Sequence, residues 1–151
     1  MTQMHRTVLF PGSFAPFTVG HASLVERALG LFDTVVIAVG FNSSKQSASS
    51  VDERVEAIKA VYASESRVRV IAYSGLTVDA CRAQGAAWML RGVRSVADFE
   101  YERNLADVNR MVSGIETVIL FTLPEYAAVS SSVVRELEAN GYDVARFLPK
   151  K

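Results

Sequence analysis

The sequence predicts an α/β fold, a doubly wound five-stranded parallel sheet with helices on both faces. Two observations carry the prediction. Short apolar runs alternate with helical patterns along all 151 residues. Those runs are rich in Val, Ile, Leu and Phe without polar alternation, as strands buried on both faces require. Alternation of this kind closes as parallel strands joined by right-handed crossovers, a Rossmann-like arrangement. Ligands of such sheets bind beyond the carboxyl ends of the strands, where the strand order reverses.

The first strand is predicted at Thr7–Phe10 and runs into the turn Pro11-Gly12-Ser13-Phe14-Ala15-Pro16-Phe17-Thr18-Val19-Gly20-His21. A helix follows over Gly20–Leu29, with Leu24, Val25 and Ala28 at core spacing. The second strand is Thr34–Val39. A serine-rich stretch, Asn42 to Ser50, then reads as a loop bearing one lysine, Lys45. Ser50-Val51-Asp52-Glu53 has the capping-box pattern and places a helix over Asp52–Ala63. The remaining strands are expected at Arg67–Ile71, Ala87–Leu90 and Thr117–Phe121, and the remaining helices at Thr77–Gln84, Ala97–Val112 and Ser131–Ala139. In the helix over 97–112, Asp98, Glu102 and Asn109 form a polar stripe, and Tyr101, Leu105, Val108 and Val112 an apolar stripe for the core.

Composition narrows the class. The length suits a single domain, residues 1–151, able to bury a core. Sixteen basic residues balance sixteen acidic ones, so no broad basic face for nucleic acid is expected. A lone cysteine, Cys81, excludes an internal disulfide framework and reads as a small buried hydrophobe. Two histidines make a structural zinc site a poor reading. No run approaches membrane-span length and no secretory leader is evident, which points to a cytoplasmic protein without membrane association.

Four places at strand ends carry candidate chemistry. The Gly12–His21 turn leads into a helix N-terminus, where backbone N–H groups and the helix dipole favour an anion, and His21 faces the same mouth. Lys45 sits in a loop beside it, a candidate lid. Arg91-Gly92-Val93-Arg94 follows the fourth strand and offers guanidinium forks for a polyphosphate. Ser130-Ser131-Ser132 opens the last helix, as caps and as a second phosphate cradle. Together they point to chemistry on a nucleotide phosphate.

Thr18-Val19-Gly20-His21 and Arg91-Gly92-Val93-Arg94-Ser95-Val96-Ala97-Asp98-Phe99-Glu100-Tyr101-Glu102 resemble the HxGH and RGxRxxxDFEYE motifs of bacterial phosphopantetheine adenylyltransferases, of the HxGH-type nucleotidyltransferase superfamily. The similarity runs from Pro11-Gly12 to Phe147-Leu148-Pro149. The resemblance implies adenylyl transfer from ATP to 4'-phosphopantetheine, giving dephospho-coenzyme A and pyrophosphate by direct in-line attack. It gives His21 the role of stabilising charge on the α-phosphate. Ser13, Lys45 and Arg91 would hold the acceptor phosphate, with Leu76, Thr77 and Asn109 toward the acceptor. Ser13, Phe14, His21, Gly92, Val93, Arg94 and Glu102 would receive ATP, as would Tyr126, Ala127, Ala128, Val129, Ser130, Ser131 and Ser132. It further implies Mg²⁺ carried mainly on ATP phosphates, a homohexamer, and coenzyme A as a candidate feedback ligand. Three positions depart from the pattern: Ser13 replaces the usual Thr of the turn and keeps its hydroxyl, Ala15 replaces the usual Asp, and Tyr126 stands where some members have Trp. A different acceptor, as in a nicotinate-mononucleotide adenylyltransferase or a cytidylyltransferase, is the nearest rival. A non-catalytic nucleotide-binding module is the rival from another class.

Overall fold

The computed structural model describes residues 4–42 and 48–151, positions 48 and 49 by their backbone only. Five parallel strands, β1 (Thr7–Gly12), β2 (Thr34–Gly40), β3 (Val68–Tyr73), β4 (Trp88–Val93) and β5 (Glu116–Phe121), form one sheet in the order β3-β2-β1-β4-β5. The helices α1 (Val19–Ala28), α2 (Ala48–Val61), α3 (Thr77–Ala83), α4 (Val96–Ser113) and α5 (Ser131–Ala139) alternate with them. The α/β, Rossmann-like expectation therefore holds, with all five strands and five helices in their expected places.

Strand alternation divides the core in two. Val8, Phe10, Val35, Ile37 and Val39 face one side and pack with Leu24, Val25 and Ala28 of α1 and Val51, Val55 and Ile58 of α2. Leu9, Val36 and Ala38 face the other and meet Val78 and Cys81 of α3. Cys81 is fully buried, and burial pushes its thiol up to about 11, so it is a packing residue. Burial on both faces is true of β1 and β2, while the edge strands β3 and β5 are only partly buried. An edge strand has a neighbour on one side alone.

Four local expectations change. β1 extends through Pro11-Gly12, because Pro11 and Gly12 still register with Ala38 and Val39 of β2. Arg91 and Gly92 belong to β4, registered with Ile119 and Leu120 of β5, and do not lie in a loop after it. α2 starts at Ala48, so Ser50-Val51-Asp52-Glu53 falls inside the helix and is not its start. In α4 the polar and apolar stripes exchange places. Glu102 is the helix's buried residue, whereas Tyr101, Leu105, Val108 and Val112 are exposed. The cause is Arg91, whose guanidinium neutralises Glu102 and draws that face inward.

The strand order reverses between β1 and β4, and there the sheet opens. β1 and β2 share six registered pairs, but β1 and β4 share two, Val8↔Trp88 and Leu9↔Met89. Beyond those pairs the strands part, leaving Pro11 and Gly12 on one lip and Arg91 and Gly92 on the other. This gap places the site.

Candidate active site

A cleft of about 290 Å³ lies above the gap, bounded by the turn after β1, the start of α1, the end of β4, one face of α4 and the start of α5. His21, Ser13, Phe14, Arg91, Gly92, Arg94, Glu102, Val129, Ser130 and Ser131 line it. All four sequence-derived places converge here except Lys45, which lies outside the described residues. Val93 is buried, Leu76 is exposed, and neither lines the cleft. The Thr77 hydroxyl meets the Tyr73 hydroxyl at 2.9 Å, and the Asn109 carbonyl accepts from Ser113. Tyr126 packs beside Gly20 at the start of α1, in the turn Pro124–Tyr126 that leads through Ala127 and Ala128 to α5.

His21 is fixed by the local sequence. Thr18 caps α1, its hydroxyl accepting from the His21 N–H, while His21 Nδ1 accepts the Thr18 N–H at 2.9 Å. This is a capping box with histidine in the place that Glu or Gln usually fills. Phe17 stacks on the imidazole at 5.4 Å and Phe14 meets it edge-on at 5.0 Å. Burial first, then the charges of Arg91 and Arg94, lower the His21 pKa to about 4. At neutral pH the ring is therefore neutral. With Nδ1 occupied as an acceptor, the proton sits on Nε2 as a donor.

Arg91 reaches across the gap. Its Nε and Nη2 donate to the two oxygens of Glu102 at 2.9 and 2.7 Å, and its Nη1 donates to the Pro11 carbonyl at 2.7 Å. One proton on each terminal nitrogen remains for a ligand. Arg94 lies a strand end away, its N–H donating to Asp98 at 3.1 Å. Close approach at the floor depends on two glycines. A Cβ on Gly92 would stand 2.5 Å from Leu24 Cδ1, and one on Gly12 2.8 Å from Phe14 Cζ.

The serines of α5 divide their work. Ser130 caps the helix, accepting from the Val133 N–H at 3.2 Å, and its hydroxyl lies 3.3 Å from that of Ser132. Ser131 donates to the Pro16 carbonyl at 2.7 Å, which ties α5 to the turn after β1. Two helix N-termini thus flank one cleft with two arginines and a neutral imidazole donor, an arrangement suited to a polyphosphate. Sequence reasoning missed Arg54 of α2 and Arg135 of α5, which donate to the carbonyls of Ser13 and Ala15. No spacing signal marks them, because their partners are backbone atoms far away in the chain.

Residues 9–137 match the cytidylyltransferase-like family. The chain is 54% identical over 142 residues to a phosphopantetheine adenylyltransferase of Porphyromonas gingivalis, covering 94% of this chain and 93% of the relative. It is 50% identical over 145 residues to one of Phocaeicola vulgatus, covering 96% of each. Among solved structures, a bifunctional NMN adenylyltransferase/ADP ribose pyrophosphatase of Francisella tularensis superposes with a TM-score of 0.71 at 14% identity. That match covers 97% of this chain and 46% of the other, and it speaks for the fold. Close relatives over nearly the full length, and a cleft at the strand-order reversal, place this chain in the phosphopantetheine adenylyltransferase family of nucleotidyltransferase enzymes.

Proposed function

We propose that this enzyme transfers the adenylyl group of ATP reversibly to 4'-phosphopantetheine within coenzyme A biosynthesis, as one nucleotidyltransferase domain. A phosphate oxygen of the acceptor attacks the α-phosphorus of ATP in line. The bond from that phosphorus to the bridging oxygen breaks, and pyrophosphate leaves with the electron pair. No covalent enzyme intermediate is needed. The names of the relatives support the substrates, and one observation carries the chemistry: a neutral His21 donor beside Arg91 at the mouth of two helix N-termini.

The nucleophile is already an anion, so the residues need only align two repelling phosphates and cover developing charge. His21 Nε2–H donates to an α-phosphate oxygen as its charge grows, and Thr18 keeps the ring in the required tautomer. Ser13, Lys45 and Arg91 hold the acceptor phosphate, Glu102 keeping the Arg91 fork oriented. The family resemblance assigns Leu76, Thr77 and Asn109 to the pantetheine arm, although none of the three lines the cleft. Gly92, Arg94 and the segment from Tyr126 to Ser132 take ATP. Among the described residues no three His, Cys, Asp or Glu converge on one point, and the carboxylates lining the cleft, Asp98 and Glu102, each engage an arginine. That donor set fits Mg²⁺ brought in on ATP oxygens, where it offsets polyphosphate charge.

The remaining parts of the reading are a homohexamer, coenzyme A as a feedback ligand, and action in the cytoplasm. Apolar side chains exposed along α4 support assembly, among them Met111, Val112 and Tyr101. No helix of the described residues is long and apolar enough to cross a membrane.

Pyrophosphate release with ATP and a panel of acceptors tests the reaction. Phosphopantetheine should support turnover. Pantetheine, which lacks the nucleophile, should give none and should bind at least about a hundredfold more weakly, since each charge-assisted hydrogen bond lost is worth roughly 1.5–3 kcal/mol. Turnover with nicotinate mononucleotide instead would reassign the acceptor.

A further inference from the structure

The end of β1 and the turn after it are held by their carbonyl groups. Pro11 accepts from Arg91, Ser13 from Arg54, Ala15 from Arg135 and Pro16 from Ser131. The donors come from β4, α2 and α5, so three separate elements grip six residues. By contrast, the N–H groups of Ser13 and Phe14 donate to no atom among the described residues. Arg91 and Ser131 line the cleft while Arg54 and Arg135 grip from outside it, and the successive amides left over between the paired carbonyls are the kind of donors that form an anion-binding nest.

The grip on Ser13 bears directly on one of those two amides. The Ser13–Phe14 peptide is trans and planar, so its C=O and N–H point in opposite directions. Arg54 fixes the carbonyl toward α2, which turns the Phe14 N–H away from α2. Ser13 and Phe14 line the cleft and no residue of α2 does, so an N–H turned away from α2 is open to the cleft. The grip on Ala15 orients no such donor, because the next nitrogen belongs to Pro16. Phe14 is also the one non-glycine among the described residues with a positive φ, 49°, a conformation that surrounding contacts must enforce. Its ring is locked between Phe10 and Phe17 at 5.1 and 5.4 Å, which leaves the peptide plane as the remaining freedom. Arg54 Nη1 also lies 3.4 Å from the Gly40 carbonyl at the end of β2, so it joins two strand ends.

We propose that Arg54 is a positioning residue of the active site, aiming the Phe14 N–H at a phosphate oxygen of ATP. It touches no substrate and acts through the Ser13–Phe14 peptide. The inference rests on the proposed reaction for ATP as the bound nucleotide and is independent of which acceptor is used.

Arg54→Gln, Arg54→Ala and Arg54→Lys are compared with the unaltered enzyme by pyrophosphate release, ATP calorimetry and thermal melting. The Gln and Ala variants should lower kcat about tenfold to a hundredfold, a fraction of what losing one preorganised donor costs. The phosphopantetheine KM should stay within about threefold, and the ATP Kd should rise about threefold to tenfold. Arg54→Lys, which keeps a cation near the Ser13 carbonyl, should recover a substantial part of kcat. If Arg54→Ala does not fold, the near-isosteric Gln variant decides. Unchanged kcat and ATP affinity in the folded variants would overturn the proposal, as would a loss that Arg54→Lys shares in full or that follows the folded fraction alone. Failure of the unaltered enzyme with phosphopantetheine would strike the reaction instead, and ATP calorimetry would still judge Arg54.

Discussion

His21 shows how one side chain is tuned by its neighbours for a task. The capping box spends Nδ1 on the Thr18 amide, and the aromatic cage with the two arginines keeps the ring uncharged, leaving one donor for the cleft. His21→Ala should lower kcat by about two to four orders of magnitude while changing ATP affinity little, as expected for a donor used mostly in the transition state. Steady-state kinetics with calorimetry checks it, and near-normal turnover would remove His21 from the mechanism. The same tuning makes folding depend on pH. An unfolded histidine titrates near 6.5 and this one near 4. Between those values the unfolded chain binds more protons, so the stability present at neutral pH drains away as pH falls through that window. Thermal melts of the ligand-free enzyme from pH 7.5 to 4 should show this slope, and His21→Gln should flatten it.

At the scale of elements, β4 carries the site because it combines a bidentate arginine with a glycine that admits α1. Gly92→Ala would drive a methyl group into Leu24, a nearly fully buried side chain that could give way only toward the cleft. It should destabilise the fold by about 1–3 kcal/mol, the usual cost of overpacking, readable as a lower urea midpoint. It should also disturb α1, and His21 with it. Most elements were legible because apolar runs and caps are local: β2 begins where its Val and Ile run begins, and Thr77 and Ser131 open their helices as read. What escaped was set by distant partners. For Glu102 the spacing left an arginine partner and a solvated face equally open, and Arg91, eleven residues earlier in the chain, decides for the first. The extension of β1 through Pro11 depended on register with β2, which no window of sequence displays. Of the candidate site, the motifs marked His21, Arg91 and the serines of α5, whereas Arg54 and Arg135 bind carbonyl oxygens and leave no motif at all.

Over the whole molecule, α4 presents an apolar surface that the isolated chain leaves in water, with Met111 at 82% exposure. Light scattering should find an assembly near six chains, and Met111→Glu should shift it toward smaller species, since a charge in such a contact must be desolvated. A monomer in both cases would remove the hexamer from the reading. The short β1–β4 seam has a mechanical consequence of its own. Six registered pairs bind β1 to β2, six bind β2 to β3, and six bind β4 to β5, but two bind β1 to β4. The sheet is thus two stiff plates joined by a narrow hinge, and a nucleotide held in the cleft as proposed would bridge both like a splint. Backbone amides of β4 beside that hinge should exchange with deuterium faster than those of β2 in the empty enzyme. ATP should slow them more than any amide of β3, so that the substrate completes the rigidity that the sheet's own hydrogen bonds leave unfinished.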